Sequence, residues 1–89
     1  MTRIERIRVA LQHSLSPMRL EVTDDSHLHV GHAGARDGRG HFSVRVVSAA
    51  FAGMRPLARH RAIYAALGDM MDTDIHALSI DASTPDEVR

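Results

Sequence analysis

Three histidines lie within six positions of one another in the segment DDSHLHVGHAG, residues 24–34. They are His27, His29 and His32, and the 89-residue chain has seven histidines in all but no cysteine. Neutral imidazole is a suitable ligand for zinc, copper, iron and nickel, so a metal site is one interpretation of this segment. A solvated, incidental cluster is the other. The spacing leaves both open, because no His-Glu-x-x-His motif or paired cysteines define a ligand geometry.

The remaining histidines lie on predicted helices and strands. His76 is the second residue of the last predicted strand, where a metal ligand and an ordinary strand-edge histidine are about equally expected. His60 lies on the predicted apolar stripe of a helix and is interpreted as a core or boundary residue. His13 lies near a helix end, where a cation interacts favourably with the helix dipole. His41 opens a strand and is a secondary candidate for the polar cluster of the loop.

The composition disfavours several classes of function. Eleven arginines balance eleven acidic residues and there is no lysine, which argues against a broad electrostatic grip on nucleic acid. Ser48 and Ser83 have no evident base, and no glycine-rich turn precedes a helix as a phosphate site requires. No apolar run reaches the roughly 20 residues of a membrane span, and the N-terminus is charged. We therefore expect a soluble cytoplasmic protein that is not an enzyme.

The first half of the chain predicts a helix and a strand followed by a long loop. Thr2 and Glu5 form a capping box, and the helix over 2–15 ends before Pro17. Residues 18–24 alternate as in a half-buried strand. Residues 24–40 show no periodicity and form a loop, in which four glycines are interpreted as a source of flexibility. The apolar stripe of the helix consists of Ile4, Ile7, Leu11 and Leu15.

The second half predicts strand, helix and strand. Residues 41–48 alternate as a strand, Pro56 is suited to a first helical position, and the helix continues to residue 71. Residues 75–81 form the last strand, and 82–89 are a short tail with at most one helical turn. The apolar stripe of the long helix consists of Leu57, His60, Tyr64, Leu67 and Met71, which recur at helical spacing.

This order predicts one α+β domain over residues 1–89, with a three-stranded mixed sheet and helices packed on one face. The loop connection makes the first two strands antiparallel, and the helical crossover makes the last two parallel. His76 should therefore lie at the same sheet edge as the loop 24–40. By strand alternation, His76 should share a face with Leu78 and Ile80.

Several motifs resemble the BolA family in both order and spacing, over roughly residues 1–87. They are EVTDDSHLHVGHAG, HFSVRVVSAAFAG, RHRAIYAAL, and IHALSI with TPDE close behind. The resemblance implies a fold akin to the KH domain of the second topological type. It also implies that this chain pairs with a monothiol glutaredoxin and shares a [2Fe–2S] cluster, to which glutaredoxin contributes a cysteine and a bound glutathione thiol. The implied nitrogen ligands are His76 and, from the loop, His29, with His32 or His27 as competing loop ligands.

The implied role is that of an adaptor in iron–sulfur cluster assembly, trafficking or iron sensing. The isolated chain is then expected to hold no cluster and to be a monomer or weak homodimer. A DNA-binding transcriptional regulator that uses the KH-like fold is the alternative, with Arg55, Arg59 and Arg61 facing phosphates. A third interpretation is that the loop alone binds zinc or copper.

Overall fold

The computed structural model describes residues 1–29 and 38–88, and its elements follow the predicted order. For Leu28 and His29 the backbone alone is described, and His32 lies outside the described residues. The helices are α1 (Arg3–Leu15), α2 (Pro56–Leu67) and the short α3 (Met70–Thr73). The strands are β1 (Arg19–Asp24), β2 (Gly40–Val47) and β3 (Ile75–Ser83), and 3-10 turns occupy Ser26–His29, Ala49–Phe51 and Pro85–Val88.

Helix α1 begins and ends as its sequence predicts. The hydroxyl of Thr2 accepts a hydrogen bond from the backbone N–H of Glu5 at 3.1 Å, which satisfies one of the free donors of the first turn. Ser16 adopts the left-handed conformation, with φ 42°, and ends the helix before Pro17. The buried residues of the helix are Ile7, Leu11 and Leu15.

The sheet has the predicted topology, in the order β1-β2-β3. β1 pairs with β2 antiparallel, and β2 pairs with β3 parallel. The buried residues of β2, among them Phe42 and Val44, pack against α1 and α2, while Arg45 is exposed on the opposite face. The helices therefore cover one face of the sheet, as predicted. In the described part of the chain, no helix is long and apolar enough to cross a bilayer.

Helix α2 differs from its prediction in both length and orientation. It ends at Leu67 because Gly68 takes a positive φ of 55°, and Met71 belongs to the separate helix α3. The buried residues of α2 are Ile63 and Leu67, whereas Leu57 and Tyr64 are 60% and 41% exposed. The predicted apolar stripe is therefore wrong for Leu57 and Tyr64, although Leu67 is buried and Met71 packs against the core. Apolar residues occur around the whole circumference of this helix, so their spacing fits two faces.

Strand β3 begins at Ile75, as predicted, but extends beyond its predicted end and is irregular near its start. It continues to Ser83, so the tail is two residues shorter than predicted. Near its start the pairing register shifts by one residue: Gly40 pairs with Ile75, but the next residue of β2, His41, pairs with Ala77. His76 is the extra residue at this irregularity, and an extra residue breaks the side-chain alternation of a strand.

The expected grouping of His76 with Leu78 and Ile80 was wrong for that reason. Leu78 and Ile80 are half-buried and pack against the core, whereas His76 is exposed.

Candidate functional site

Two imidazole rings meet at the edge of the sheet where β2 and β3 begin. The ring centroids of His41 and His76 are 5.2 Å apart, and the ring planes are tilted by 36°. His41 is half-buried, whereas His76 is exposed. The sequence prediction made His41 only a secondary candidate. The two rings meet directly beside the shift in register between Gly40 and His41.

Two hydrogen bonds join the segment that follows β1 to His41, and a third stabilises the segment itself. The backbone N–H of Asp25 donates to the carbonyl of His41 at 2.7 Å, and the N–H of His41 donates to the hydroxyl of Ser26 at 3.1 Å. The Asp24 carboxylate accepts from the Ser26 N–H at 2.8 Å, and hydrogen bonding by Ser26 lowers the pKa of Asp24 despite some desolvation. The 3-10 turn whose backbone ends at His29 therefore starts beside the histidine pair.

His27 and His29 belong to this anchored turn, but the structure describes them to different extents. His27 is exposed, and its charge also contributes to lowering the pKa of Asp24. The side chain of His29 and the whole of His32 lie outside what is described. The choice among the three predicted loop ligands is therefore decided by experiment.

A buried carboxylate fixes the other end of the loop. The Asp74 side chain is 12% exposed and accepts hydrogen bonds from Arg6, from Arg3 Nε at 3.2 Å and from Thr73 Oγ1 at 2.8 Å. The hydrogen bond from Arg6 is the main reason that the pKa of Asp74 is lowered; Thr73 and Arg3 add to it, and desolvation opposes it. Arg3 also donates to the carbonyl of Gly38 at 2.7 Å, so helix α1 holds the loop end in place.

Arg39 extends from this anchored end to the exposed histidine. Its Nη2 lies 3.2 Å from Nδ1 of His76. A residue of the loop 24–40 thus contacts His76, which confirms the prediction that the strand tip and the loop share one edge of the sheet. A guanidinium has only donors, so Nδ1 of His76 is the acceptor in this contact.

Gly40 is needed for close packing rather than for flexibility. A Cβ built at this position would lie 2.7 Å from the Phe42 ring and 2.7 Å from the Ser26 hydroxyl. Its N–H donates to the carbonyl of Asp74 at 2.9 Å. The interpretation of the loop glycines as a source of flexibility was therefore wrong for Gly40, which allows the two loop ends to approach the start of β2.

The three arginines of the DNA-binding alternative have different surroundings. Arg55 and Arg61 are exposed. The Arg59 side chain is 13% exposed and donates to the Glu87 carboxylate at 2.6 Å. It also donates to the carbonyls of Met54 and Ala82, at 3.0 and 3.1 Å. Arg59 therefore joins the start of α2 to the C-terminal turn and does not present its guanidinium to solvent.

The donor chemistry at this edge fits an iron–sulfur cluster of mixed ligation. Such a cluster takes two imidazoles and two thiolates, and this chain has no thiolate of its own. His76 offers an exposed imidazole that a thiol-bearing partner can approach. Among the described residues, no group of three or more histidines and carboxylates is placed so that it could hold a metal ion. The described side chains therefore offer ligands for only part of a coordination sphere.

A mixed three-stranded sheet with helices on one face is the fold of solved BolA structures. The sequence profile of the BolA-like protein family matches residues 11–87, and the chain belongs to this family. It is 49% identical over 88 residues to the SufE-like protein 1, chloroplastic/mitochondrial, of Arabidopsis thaliana. It is 44% identical over 88 residues to protein BOLA1, chloroplastic, of the same plant.

The structural comparison agrees with the sequence comparison. The BolA domain of SufE1 from Arabidopsis thaliana superposes with a TM-score of 0.87 at 46% identity, covering 99% of this chain and 98% of that domain. The matches cover 93% and 96% of this chain, but only 24% of the SufE-like protein 1 and 55% of BOLA1. The likeness therefore concerns the BolA-like domain and not the whole of those longer proteins.

Proposed function

We propose that this BolA-like protein is an adaptor that pairs with a monothiol glutaredoxin and shares a [2Fe–2S] cluster with it. The role served is cluster assembly, cluster trafficking or iron sensing. The observation that carries the proposal is the exposed imidazole of His76. It lies at the sheet edge from which the anchored turn Ser26–His29 starts.

The division of ligands follows from the chemistry of the chain. Without cysteine, this protein depends on a partner for thiolates, and a glutaredoxin with bound glutathione supplies two. His76 and a loop histidine, His29 in the first place, supply the two nitrogens. Imidazole ligation shifts the reduction potential of such a cluster upward relative to all-thiolate ligation. The match to the BolA domain of SufE1 supports an iron–sulfur role for the chain.

Titration into a cluster-loaded monothiol glutaredoxin tests the proposal. We expect a 1:1 complex on size-exclusion chromatography, with changed visible absorption and circular dichroism. His76→Ala should abolish the spectral change. His13→Ala is the matched control, because His13 is exposed in the last turn of α1, at the opposite end of this helix from Arg3, which contacts the loop end at Gly38. An unchanged spectrum with His76→Ala would show that this ligand assignment is wrong.

The second ligand is identified by single alanine variants of His27, His29 and His32. We expect His29→Ala to cause the largest loss of the visible signal. Partial loss in two variants would mean that two loop histidines substitute for each other. The contacts of Arg59 with Glu87 weaken the case for the DNA-binding alternative, because one of its three proposed phosphate contacts is committed within the protein.

A further inference from the structure

The guanidinium of Arg39 contacts Nδ1 of the proposed ligand His76. We propose that Arg39 regulates the candidate cluster site by competing with iron for this imidazole, an inference that rests on the proposed function. The observation is the 3.2 Å contact between Arg39 Nη2 and His76 Nδ1.

The contact and iron ligation exclude each other because of the protons on the imidazole. A neutral imidazole has one N–H and one nitrogen with a free lone pair, and a guanidinium can only donate. While Arg39 donates to Nδ1, the proton of the neutral ring is on Nε2. Ligation through Nδ1 needs the lone pair that Arg39 uses. Ligation through Nε2 requires the proton on Nδ1, where it would face a donor of Arg39.

The surroundings of Arg39 favour this contact. The residue lies between Gly38, whose carbonyl accepts from Arg3 at 2.7 Å, and Gly40, whose N–H donates to the carbonyl of Asp74 at 2.9 Å. The backbone on both sides of Arg39 is therefore fixed. The His76 ring in turn packs against the ring of His41 at 5.2 Å, which restricts its rotation away from the guanidinium.

In the cluster-free protein, the contact with Arg39 therefore keeps the His76 imidazole from binding iron. The contact between Arg39 and His76 must break before iron binds. The free energy needed to break it lowers the apparent affinity for the cluster. Displacing one hydrogen bond of ordinary net strength corresponds to a change of about five-fold in an equilibrium constant. Removal of the guanidinium should therefore tighten binding of the cluster-loaded partner by about that factor.

The experiment compares Arg39→Ala and Arg39→Lys with the control Arg19→Ala. Arg19 is exposed and pairs with Val47 at the opposite end of the sheet, so its loss changes the charge equally without touching the site. In the cluster-free protein, long-range ¹H–¹⁵N spectra report the tautomer of His76. We expect Nε2–H in the wild type and in Arg19→Ala, and a larger fraction of Nδ1–H in Arg39→Ala. Arg39→Lys keeps a cationic donor but not the guanidinium geometry, and should give an intermediate population.

The binding arm measures the apparent Kd for cluster-loaded monothiol glutaredoxin by visible circular dichroism. We expect about a five-fold lower Kd for Arg39→Ala than for the wild type or Arg19→Ala. Equal or weaker binding by Arg39→Ala than by the wild type overturns the inference, and so does an Nδ1–H tautomer of His76 in the wild type. Neither result bears on the proposed function, which His76→Ala tests separately. Absence of cluster binding by every variant and by the wild type overturns both.

Discussion

The imidazole rings of His41 and His76 lie 5.2 Å apart at the point where β3 carries one additional residue relative to β2. A regular parallel register would direct successive side chains of β3 to alternate faces. The bulge instead leaves His76 exposed at the strand tip, next to a half-buried ring. The orientation of the proposed iron ligand is thus set by a local irregularity of the sheet.

Replacement of His41 by alanine should loosen the proposed ligand without removing it. The half-buried ring of His41 packs against His76, and losing part of this packing should lower the free energy of unfolding by about 1 kcal/mol. We expect the ring resonances of His76 to shift and the cluster complex to weaken but still form. Urea unfolding and visible circular dichroism measure these two effects. His41→Phe keeps a ring at this position, and a complex weakened equally by both variants would argue against the packing role.

Much of the fold is readable from the sequence because it rests on local signals and on connection rules. The capping pair Thr2 and Glu5 starts α1, and the helical crossover makes β2 and β3 parallel, which alone places His76 at the loop edge. The face of α2 was not readable in this way. Arg59 occupies the inner side of that helix because Glu87, far along the chain, accepts its hydrogen bonds.

The geometry of the candidate site was harder to predict from the sequence, since its supporting contacts join residues that are far apart along the chain. Arg3 and Asp74 are separated by most of the chain, and nothing near either residue indicates that they pair. The requirement for Gly40 likewise depends on the position of Ser26 after folding. The histidine types indicated the chemistry, whereas the geometry of the edge comes from long-range packing.

The pairing of Asp74 with Arg3 and Arg6 should make stability depend on pH in the acidic range. The pKa of Asp74 is lowered from its ordinary value of 3.8. Its carboxylate therefore stabilises the folded state fully at pH values above 3.8. This stabilisation is lost as the pH falls through the lower pKa of Asp74 in the folded protein. Asp74→Asn should therefore cost about 1–2 kcal/mol at pH 6, because a hydrogen-bonded charge is removed beside partly exposed arginines. Urea unfolding at pH 6 and pH 3 measures the difference, which should shrink at the lower pH.

The control for this pH dependence is Asp69→Asn. Asp69 is exposed, and its side chain makes no capping hydrogen bond at the start of α3. Its replacement should change stability little and equally at both pH values. An Asp74→Asn variant with the same pH dependence as the wild type would contradict the assigned role of the carboxylate.

Gly40→Ala should disturb the site through overpacking. The new Cβ would come within 2.7 Å of the Phe42 ring and of the Ser26 hydroxyl, so the core or the loop stem must shift. Overpacking of this kind costs about 1–3 kcal/mol, measured by urea unfolding. Combining Gly40→Ala with Ser26→Gly removes one of the two clashes, and the double variant should recover part of the loss. Full stability of Gly40→Ala would show that the approach is less close than described.

The contact between Arg59 and Glu87 makes a prediction that also bears on the DNA-binding alternative. Hydrogen bonding from Arg59, helped by the backbone of Thr84, lowers the pKa of Glu87 to about 2 from 4.5. The carboxylate thus stabilises the fold above pH 4.5, and this contribution is lost as pH falls through about 2. In Arg59→Met, carboxyl-carbon NMR titration should show the pKa of Glu87 rising toward 4.5.

The same variant separates a structural role of Arg59 from phosphate binding. A side chain committed to Glu87 contributes nothing to DNA affinity, so Arg59→Met should leave unchanged the dependence of any duplex binding on salt concentration. Arg55→Ala and Arg61→Ala serve as comparisons, because both arginines are exposed. Each true phosphate contact contributes about one unit to the salt slope. A slope that falls by this amount in Arg59→Met would mean that the guanidinium leaves Glu87 for DNA, and would restore the nucleic-acid interpretation.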